Sequence, residues 1–407
     1  KQNYHQHGYK NNPRKKRNNK KRRIAKYMET GQISKAIQEV SSQGLDKISE
    51  QERHRLLPES DEEPITENIF NASNIFQMKP KEIVAVIKSS DHAAKPDQWN
   101  MCNQILIDIV SQDVESPEDT PPSIKGLSKG TVALTTFFNL LGINKFPKTM
   151  HHVLRNLRTF YIVKKKDDAG KTTAVRPIGA RCIISRIFNR CISYQYRDLL
   201  RSIMGINNCA LDIVGCEKIA KAITVVLEAN PQHVLLLPDI INAFNTIRRK
   251  FSVERLMEEV REMTPAIRYS YQVYAALIES VDQSDNQESM GKSETGFTQG
   301  DSAASAGFSL NHAKFLMDPL RKFAKAIESI LSPEEQTFLA ALCDDTTLAG
   351  PPATVVTLYL KLRKMAKEIY NLDFHQGSKC KAYSPARTAS ELQQVLAEEQ
   401  SKAIKAD

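Results

Sequence analysis

The sequence predicts an α+β protein, with a small antiparallel sheet packed by helices and a helical extension on its N-terminal side. Three observations lead there. Residues 233–238, "HVLLLP", form a short apolar strand that runs straight into Asp239. "FLAAL" and "TTLAG" bracket the adjacent acids Asp344 and Asp345 as the two arms of an antiparallel hairpin. Between these strands, apolar residues recur at helical spacing.

Residues 1–26 hold eleven Lys or Arg and no acid, so the chain's net charge of +10 belongs to this tail; the remainder carries 46 basic and 47 acidic residues. "NNPRKKRNNKKRRIAK" is too charged and too poor in apolar residues to fold alone, which predicts a disordered tail. Its cluster of Arg14, Lys15, Lys16, Arg17, Lys20, Lys21, Arg22 and Arg23 is a candidate nucleic-acid-binding or nuclear-import segment, with a solubilising tail as the plainer alternative. Residues 27–125 read as the helical extension. Ile24, Ala25, Met28, Ile33, Ala36 and Ile37 give helical spacing over 24–57, and "PKEIVAVIKSSD" reads as one helix. Two acidic, proline-rich linkers, 58–66 and 111–124, flank that helix.

Residues 126–160 again carry a helical pattern. Phe160–Val163 and Thr172–Ile178 then read as strands joined by a Lys/Asp/Gly turn, and 182–204 as an amphipathic helix. Beyond Asp239 the pattern predicts helices over 252–263 and 267–281 and a polar loop over 282–294. "GDSAASAGFSLNHAKFLM" is a helix whose small residues permit close approach, and Asp318 caps a second helix with Pro319 at its first position. A helix over 352–370 and short strands near 371–375 and 379–383 follow.

A hydrophobic content of 41% and a charged content of 26% are ordinary for a soluble protein. No run reaches the roughly 18–20 apolar residues that span a bilayer, and the basic N-terminus has no apolar signal segment. The start at Lys1 instead of Met fits a fragment, and the stretch after Lys379 is too short for a full thumb, ribonuclease H or endonuclease. Seven scattered cysteines without CxxC spacing predict reduced thiols in a nuclear or cytoplasmic compartment. The nine histidines show no zinc-ligand spacing. Oligomeric state is left open.

Asp239, Asp344 and Asp345 carry the chemistry. If their strands share one sheet, three carboxylates meet at one edge, and their repulsion calls for cations. Hard ions with oxygen ligands suit the task, Mg²⁺ above all. Two such ions roughly 3.5–4 Å apart activate a 3′-hydroxyl and stabilise departing pyrophosphate.

"LPDIINAFNTIRR", "TGFTQGDSAASAGFSL", "ALCDDTTLAG" and "FHQGSKCKAY" resemble, in order and spacing, successive palm motifs of reverse transcriptases, above all those of non-LTR (LINE-like) retrotransposons. "KKKDDAGKTTAVRPIGARCIISRIF" resembles the fingers segment that precedes them, and "GQISKAIQEVSSQGL" is weakly similar to the leader of such elements. The likeness covers about 130–395. It implies a right-hand polymerase fold within residues 126–395, with fingers at about 126–232 and 250–293, palm at about 233–249 and 294–395, and a tail at 396–407. It also implies RNA-directed DNA synthesis, using an RNA template, a DNA primer, dNTPs and two Mg²⁺ or Mn²⁺ ions.

In that resemblance Asp239 and Asp344 are the principal metal ligands, Asp345 assists, and the Ile240 carbonyl helps to hold the second ion. Phe244 falls at the steric gate that rejects a ribose 2′-OH, where a rigid wall discriminates well. Gln299 and Gly300 match the loop that positions nucleotide and template. Lys165 and Arg176 match the triphosphate clamp, Arg by its bidentate fork, with Lys164 and Lys166 as solvated neighbours. Lys379 matches a lysine that protonates leaving pyrophosphate. The chain departs from the pattern at Leu342 and Cys343, where an aromatic residue usually opens the hairpin, at Ser302 in place of Pro, and at Pro238 inside an inner strand. Two alternatives remain: a viral-type RNA-dependent RNA polymerase, which would carry a polar residue at the position of Phe244, and a domesticated or decayed copy that binds nucleic acid without polymerising.

Overall fold

A computed structural model describes residues 21–25, 28, 49–62, 77–90, 97, 101–111, 126–142, 154, 157–261, 276–281, 287–301, 303–327, 336–376 and 379–406. Two four-stranded sheets organise it. The first contains β1 (Leu157–Lys166), β2 (Thr172–Arg181), β4 (Ala276–Val281) and β5 (Gln287–Ser293) in the order β2-β1-β4-β5. The second contains β3 (Val234–Leu237), β6 (Phe338–Leu342), β7 (Asp345–Gly350) and β8 (Lys381–Tyr383) in the order β6-β7-β3-β8, antiparallel throughout.

Strand β7 is buried from Thr346 to Gly350, as an inner strand covered on both faces must be. Helices Gly215–Ala229 and Pro352–Tyr370 pack against this sheet, as does a helical rod over 304–327. One continuous apolar core joins Leu348, Leu358 and Phe308 around the sheet to Phe188, Phe138, Leu106 and Ile83 of the N-terminal helices. The extension therefore shares the core of the second sheet. An antiparallel sheet with an acidic hairpin, a second mixed sheet and helices packed on the first is an α+β fold.

Several elements differ from the sequence pattern. Residues 276–281 form β4 where a helix is predicted, and residues 287–293 form β5 where a loop is predicted. Strand β4 lies parallel along β1, pairing Leu157 with Ile278 and Thr159 with Ser280, and so meets backbone groups that an open edge would leave unpaired. The predicted helix over 182–204 breaks at Tyr196 into Ile183–Gln195 and Arg197–Met204. Asp318 does not start a new helix. The rod continues through a π-helical segment, His312–Met317, with Asp318 itself helical at φ −61°, while its carboxylate accepts from the Asn207 amide.

The strand expected near 371–375 is only an isolated bridge at Phe374. Helix Ala389–Ala406 crosses the 395/396 boundary expected for a tail. The helical reading of 126–160 holds over Lys129–Gly142 but gives way to β1 at Leu157. Residues 21–25, expected in the disordered tail, are helical, since Lys, Arg and Ala are good helix formers. Arg14, Lys15, Lys16, Arg17 and Lys20 lie outside the described residues, and Lys21, Arg22 and Arg23 are exposed.

The acidic linker is anchored where it is described. Helix Glu50–Leu56 leads into residues 57–62, which are held against residues 248–251 and 294–295. Asp61 pairs with Arg248 at 2.8 Å, and Glu62 accepts the backbone N–H groups of Lys250 and Phe251, both at 2.9 Å. Glu62 thus caps helix Arg249–Glu259 from a distance, with a negative charge at the helix's positive end.

Candidate active site

Strand β3 is antiparallel to β7, with Val234 opposite Gly350 and Leu236 opposite Leu348. Asp239 follows two residues after the end of β3, close enough to β7 that its charge acts on both Asp344 and Asp345. Leu342 pairs with Asp345 across the hairpin, so Cys343 and Asp344 form its two-residue turn. Pro238 costs no ladder bond here, because β3 ends at Leu237. The strand end and the hairpin turn therefore converge on one edge of the sheet.

A turn this tight strains a residue with a side chain. Cys343 sits at φ +56°, a left-handed conformation unfavourable for a non-glycine residue. Asn208, buried at 2% exposure, holds it there. Its carboxamide donates to the Cys343 carbonyl at 2.9 Å and accepts the Cys343 N–H at 3.3 Å. Beside it the Cys209 N–H donates to the Ala341 carbonyl at 2.8 Å.

The carboxylates feel one another. Burial, then Asp345 and Asp239, push Asp344 up to about 6, with Arg176 opposing. Burial and Asp239 also raise Asp345, opposed by Lys164. Among the described residues no three acidic, histidine or cysteine side chains converge as a ready-made metal cage. The carboxylate oxygens of Asp239, Asp344 and Asp345 are hard donors of the kind a divalent cation such as Mg²⁺ would take.

Around Ile240 the chain forms an isolated antiparallel bridge to Phe374. The bridge is made by the Asp239 carbonyl, accepting from His375 N–H at 2.8 Å, and by Ile241 N–H, donating to Asp373 at 2.7 Å. Ile240 occupies the position without cross-strand bonds of its own, so its carbonyl points away from the pairing. Lys379 Nζ lies 2.9 Å from His375 Nε2. An ammonium only donates, so Nε2 accepts. His375 Nε2 is also 3.7 Å from an Asp239 oxygen, an ion pair only if the ring is protonated. Burial and then the Lys379 charge lower the ring's proton affinity, assisted by Lys164 and Arg55. Asp239 opposes that shift, and the ring lies within reach of both the Lys379 ammonium and the Asp239 carboxylate.

The first sheet brings further cations. The β1–β2 register shifts between Val163 and Lys165, so Lys164 and Lys165 together oppose Ala174, two residues from Arg176. Such a bulge re-aims side chains. Lys164, not singled out from the sequence, is the lysine whose charge bears on Asp345 and His375. Lys165 is exposed next to it.

The base of β2 docks on the Gln299–Asp301 loop. Gly179 N–H donates to the Gln299 carbonyl at 2.8 Å. Gly300, at φ +100°, lies so close that a Cβ would fall 2.9 Å from the Gly179 carbonyl oxygen. Asp301 is buried against Arg181 at 2.8 Å and accepts from Asn189 at 2.8 Å. Losing one partner of such a pair costs about 3–5 kcal/mol. Phe244, half-buried, lies on the helical turn Ala243–Thr246 directly after the Asp239 strand.

Asp239, Asp344, Asp345, Arg176 and Lys379 thus fall in one neighbourhood, and Gln299 and Gly300 hold the base of β2. Sequence reasoning missed Asn208, Lys164, His375 and Asp301. The sequence signal for Asp301 is its place after Gln299-Gly300, whereas Asn208 in "INNCALD" reads as an ordinary turn residue.

No protein-family model matches the chain, and no curated protein matches it. Among solved structures it is similar to an apo telomerase from Candida tropicalis truncated from its C-terminal domain, at 12% identity and TM-score 0.40, over 71% of this chain and 62% of that one. It is also similar to a structure of the segmented genome and RNA polymerase complex inside a double-stranded RNA virus, at 8% identity and TM-score 0.43, over 75% of this chain and 25% of that one. The chain thus spans less than two thirds of the telomerase chain and a quarter of the viral one.

Proposed function

We propose that the chain is a nucleic-acid polymerase, specifically an RNA-directed DNA polymerase of the non-LTR retrotransposon kind, which extends a DNA primer on an RNA template with dNTPs. The observation that carries this reading is the antiparallel pairing of β3 with β7, which leads the chain to Asp239 beside the Asp344–Asp345 turn, where Asp239 raises both hairpin acids and Arg176 and Lys164 oppose. Asp239, Asp344 and the Ile240 carbonyl would hold two Mg²⁺ or Mn²⁺ ions, with Asp345 assisting. Such ions, when bound, lower the pKa of the primer hydroxyl and neutralise charge on the phosphates.

The chain's own part is positioning and electrostatics. Arg176, Lys164 and Lys165 bind the triphosphate, the guanidinium through paired donors. Lys379, steadied by His375, offers a proton to the departing pyrophosphate. Gln299 and Gly300, docked on the base of β2, support nucleotide and template. Phe244 bounds the sugar, and its aromatic ring favours this reading over an RNA-synthesising one. The exposed Lys21, Arg22 and Arg23, with the basic residues before them, supply non-specific affinity for phosphate backbone. Seven free thiols suit a reducing nuclear or cytoplasmic compartment. No helix among the described residues is long and apolar enough to cross a membrane.

Single-nucleotide extension of a DNA primer on an RNA template tests the proposal. The unmodified protein is expected to incorporate dNTPs in preference to rNTPs, Phe244→Ala to lose that preference, and Asp344→Ala to lose about 10³-fold or more in rate. A preference for rNTPs would assign the chain to RNA synthesis. Equal inactivity of the unmodified and Asp344→Ala proteins would leave only nucleic-acid binding.

A further inference from the structure

Phe244 does not stand alone. Its ring stacks on Phe308, with centroids 4.7 Å apart and planes 25° from parallel. Phe308 in turn stacks on His312, one helical turn further along the same rod, at 6.0 Å and 23°. His312 Nε2 is 3.0 Å from the Thr346 hydroxyl, and Thr346 directly follows Asp345. Phe308 has no exposed surface, and His312 and Thr346 are each 1% exposed. Burial drives the ring of His312 down to about 4, so it stays neutral and can stack without bringing a charge into the core.

The backbone beneath the gate is fixed as well. The Phe244 carbonyl accepts the Phe297 N–H at 2.6 Å. Gly296, at φ +66°, presses so close that a Cβ would fall 2.2 Å from that same oxygen. One face of the Phe244 ring is therefore backed by a buried aromatic column, and the column ends on the strand that carries the catalytic acids.

A wall rejects a single extra hydroxyl only as far as it refuses to yield. We infer that Phe308, braced by His312, is a specificity-determining positioning residue: it stiffens Phe244 against displacement by a ribose 2′-OH and ties the sugar wall to the catalytic hairpin. This rests on the reading of Phe244 as the group that bounds the nucleotide sugar. Phe308 has no exposed surface with which to meet substrate or metal. Its effect should appear in the ratio of dNTP to rNTP use and not in the rate of normal incorporation.

The test measures kcat/KM for a dNTP and the matching rNTP with the unmodified protein, Phe244→Ala, Phe308→Leu and His312→Gln. Phe308→Leu keeps an apolar side chain but removes the stacked plane. It is expected to leave dNTP use within about threefold and to raise rNTP use about tenfold. His312→Gln keeps a hydrogen-bonding group for Thr346 while removing the second ring, and carries the test if Phe308→Leu fails to fold; about a threefold loss of selectivity is expected. An equal fall in dNTP and rNTP use, with the ratio unmoved in both variants while Phe244→Ala abolishes it, would overturn the inference and leave Phe308 a packing residue. Absence of dNTP preference in the unmodified protein would overturn the reading of Phe244 itself, and the column's role with it.

Discussion

Strand β7 keeps an unbroken register with β6 from Asp345 to Ala349 and is buried from Thr346 onward, whereas β1 shifts register twice between Val163 and Lys166 and ends in three exposed lysines. The difference follows from what each sheet carries. Three carboxylates that repel one another must be held by a scaffold that cannot relax, so they sit on an inner strand, a strand end and a two-residue turn. Cations proposed to reach a triphosphate need length and exposure more than rigidity. The hairpin that bears them is fixed at its base, by Gly179 on Gln299 and Arg181 on Asp301, and is solvated at its tip.

The largest effect expected from breaking this contrast is on the rigid side. Asn208→Ala frees the strained turn and should lower the incorporation rate by about 10–100-fold, the scale of an ångström-sized misplacement of a catalytic group. The dNTP KM should change little, because nothing that touches the triphosphate is lost. A variant that is less stable but retains the full rate would show that Asn208 supports only the fold.

On the solvated side, steady-state kinetics should register binding. Arg176→Ala is expected to raise the dNTP KM about tenfold and Lys164→Ala about threefold, as loss of charge-assisted phosphate contacts requires. Lys165→Ala should do less than Lys164→Ala, because it is Lys164 whose charge bears on Asp345. The opposite order would return the clamp to Lys165.

The contrast also explains what could be read in advance. Asp239 and the Asp344–Asp345 hairpin were legible because short apolar runs mark strands and an acid at each strand end marks a shared edge. Helix Pro352–Tyr370 was legible from periodicity alone. Strand β4 was not, since its state depends on pairing with β1, far away in sequence. Lys164 was hidden by a register shift that no local pattern announces. Asn208 was hidden because Cys343, which it braces, lies 135 residues away. The π-helical segment kept the rod continuous through Asp318, where Asp-Pro reads locally as a new start.

The central proposal is that Asp239, Asp344 and Asp345 share one field of repulsion, built into the fold, which a divalent cation would relieve. The folded protein binds the Asp344 proton more tightly than the unfolded chain, at about 6 against an ordinary 3.8. This group therefore costs stability as pH rises from about 3.8 through 6, and none below that window. The most direct test is thermal unfolding of the unmodified protein and Asp344→Asn at pH 7.5 and at pH 4, with and without Mg²⁺. At pH 7.5 Asp344→Asn should melt higher by about 2 °C, and the gap should close at pH 4. Mg²⁺ should raise the melting temperature of the unmodified protein more than that of the variant. Lower melting of Asp344→Asn at pH 7.5, or an equal response of both proteins to Mg²⁺, would contradict the shared site.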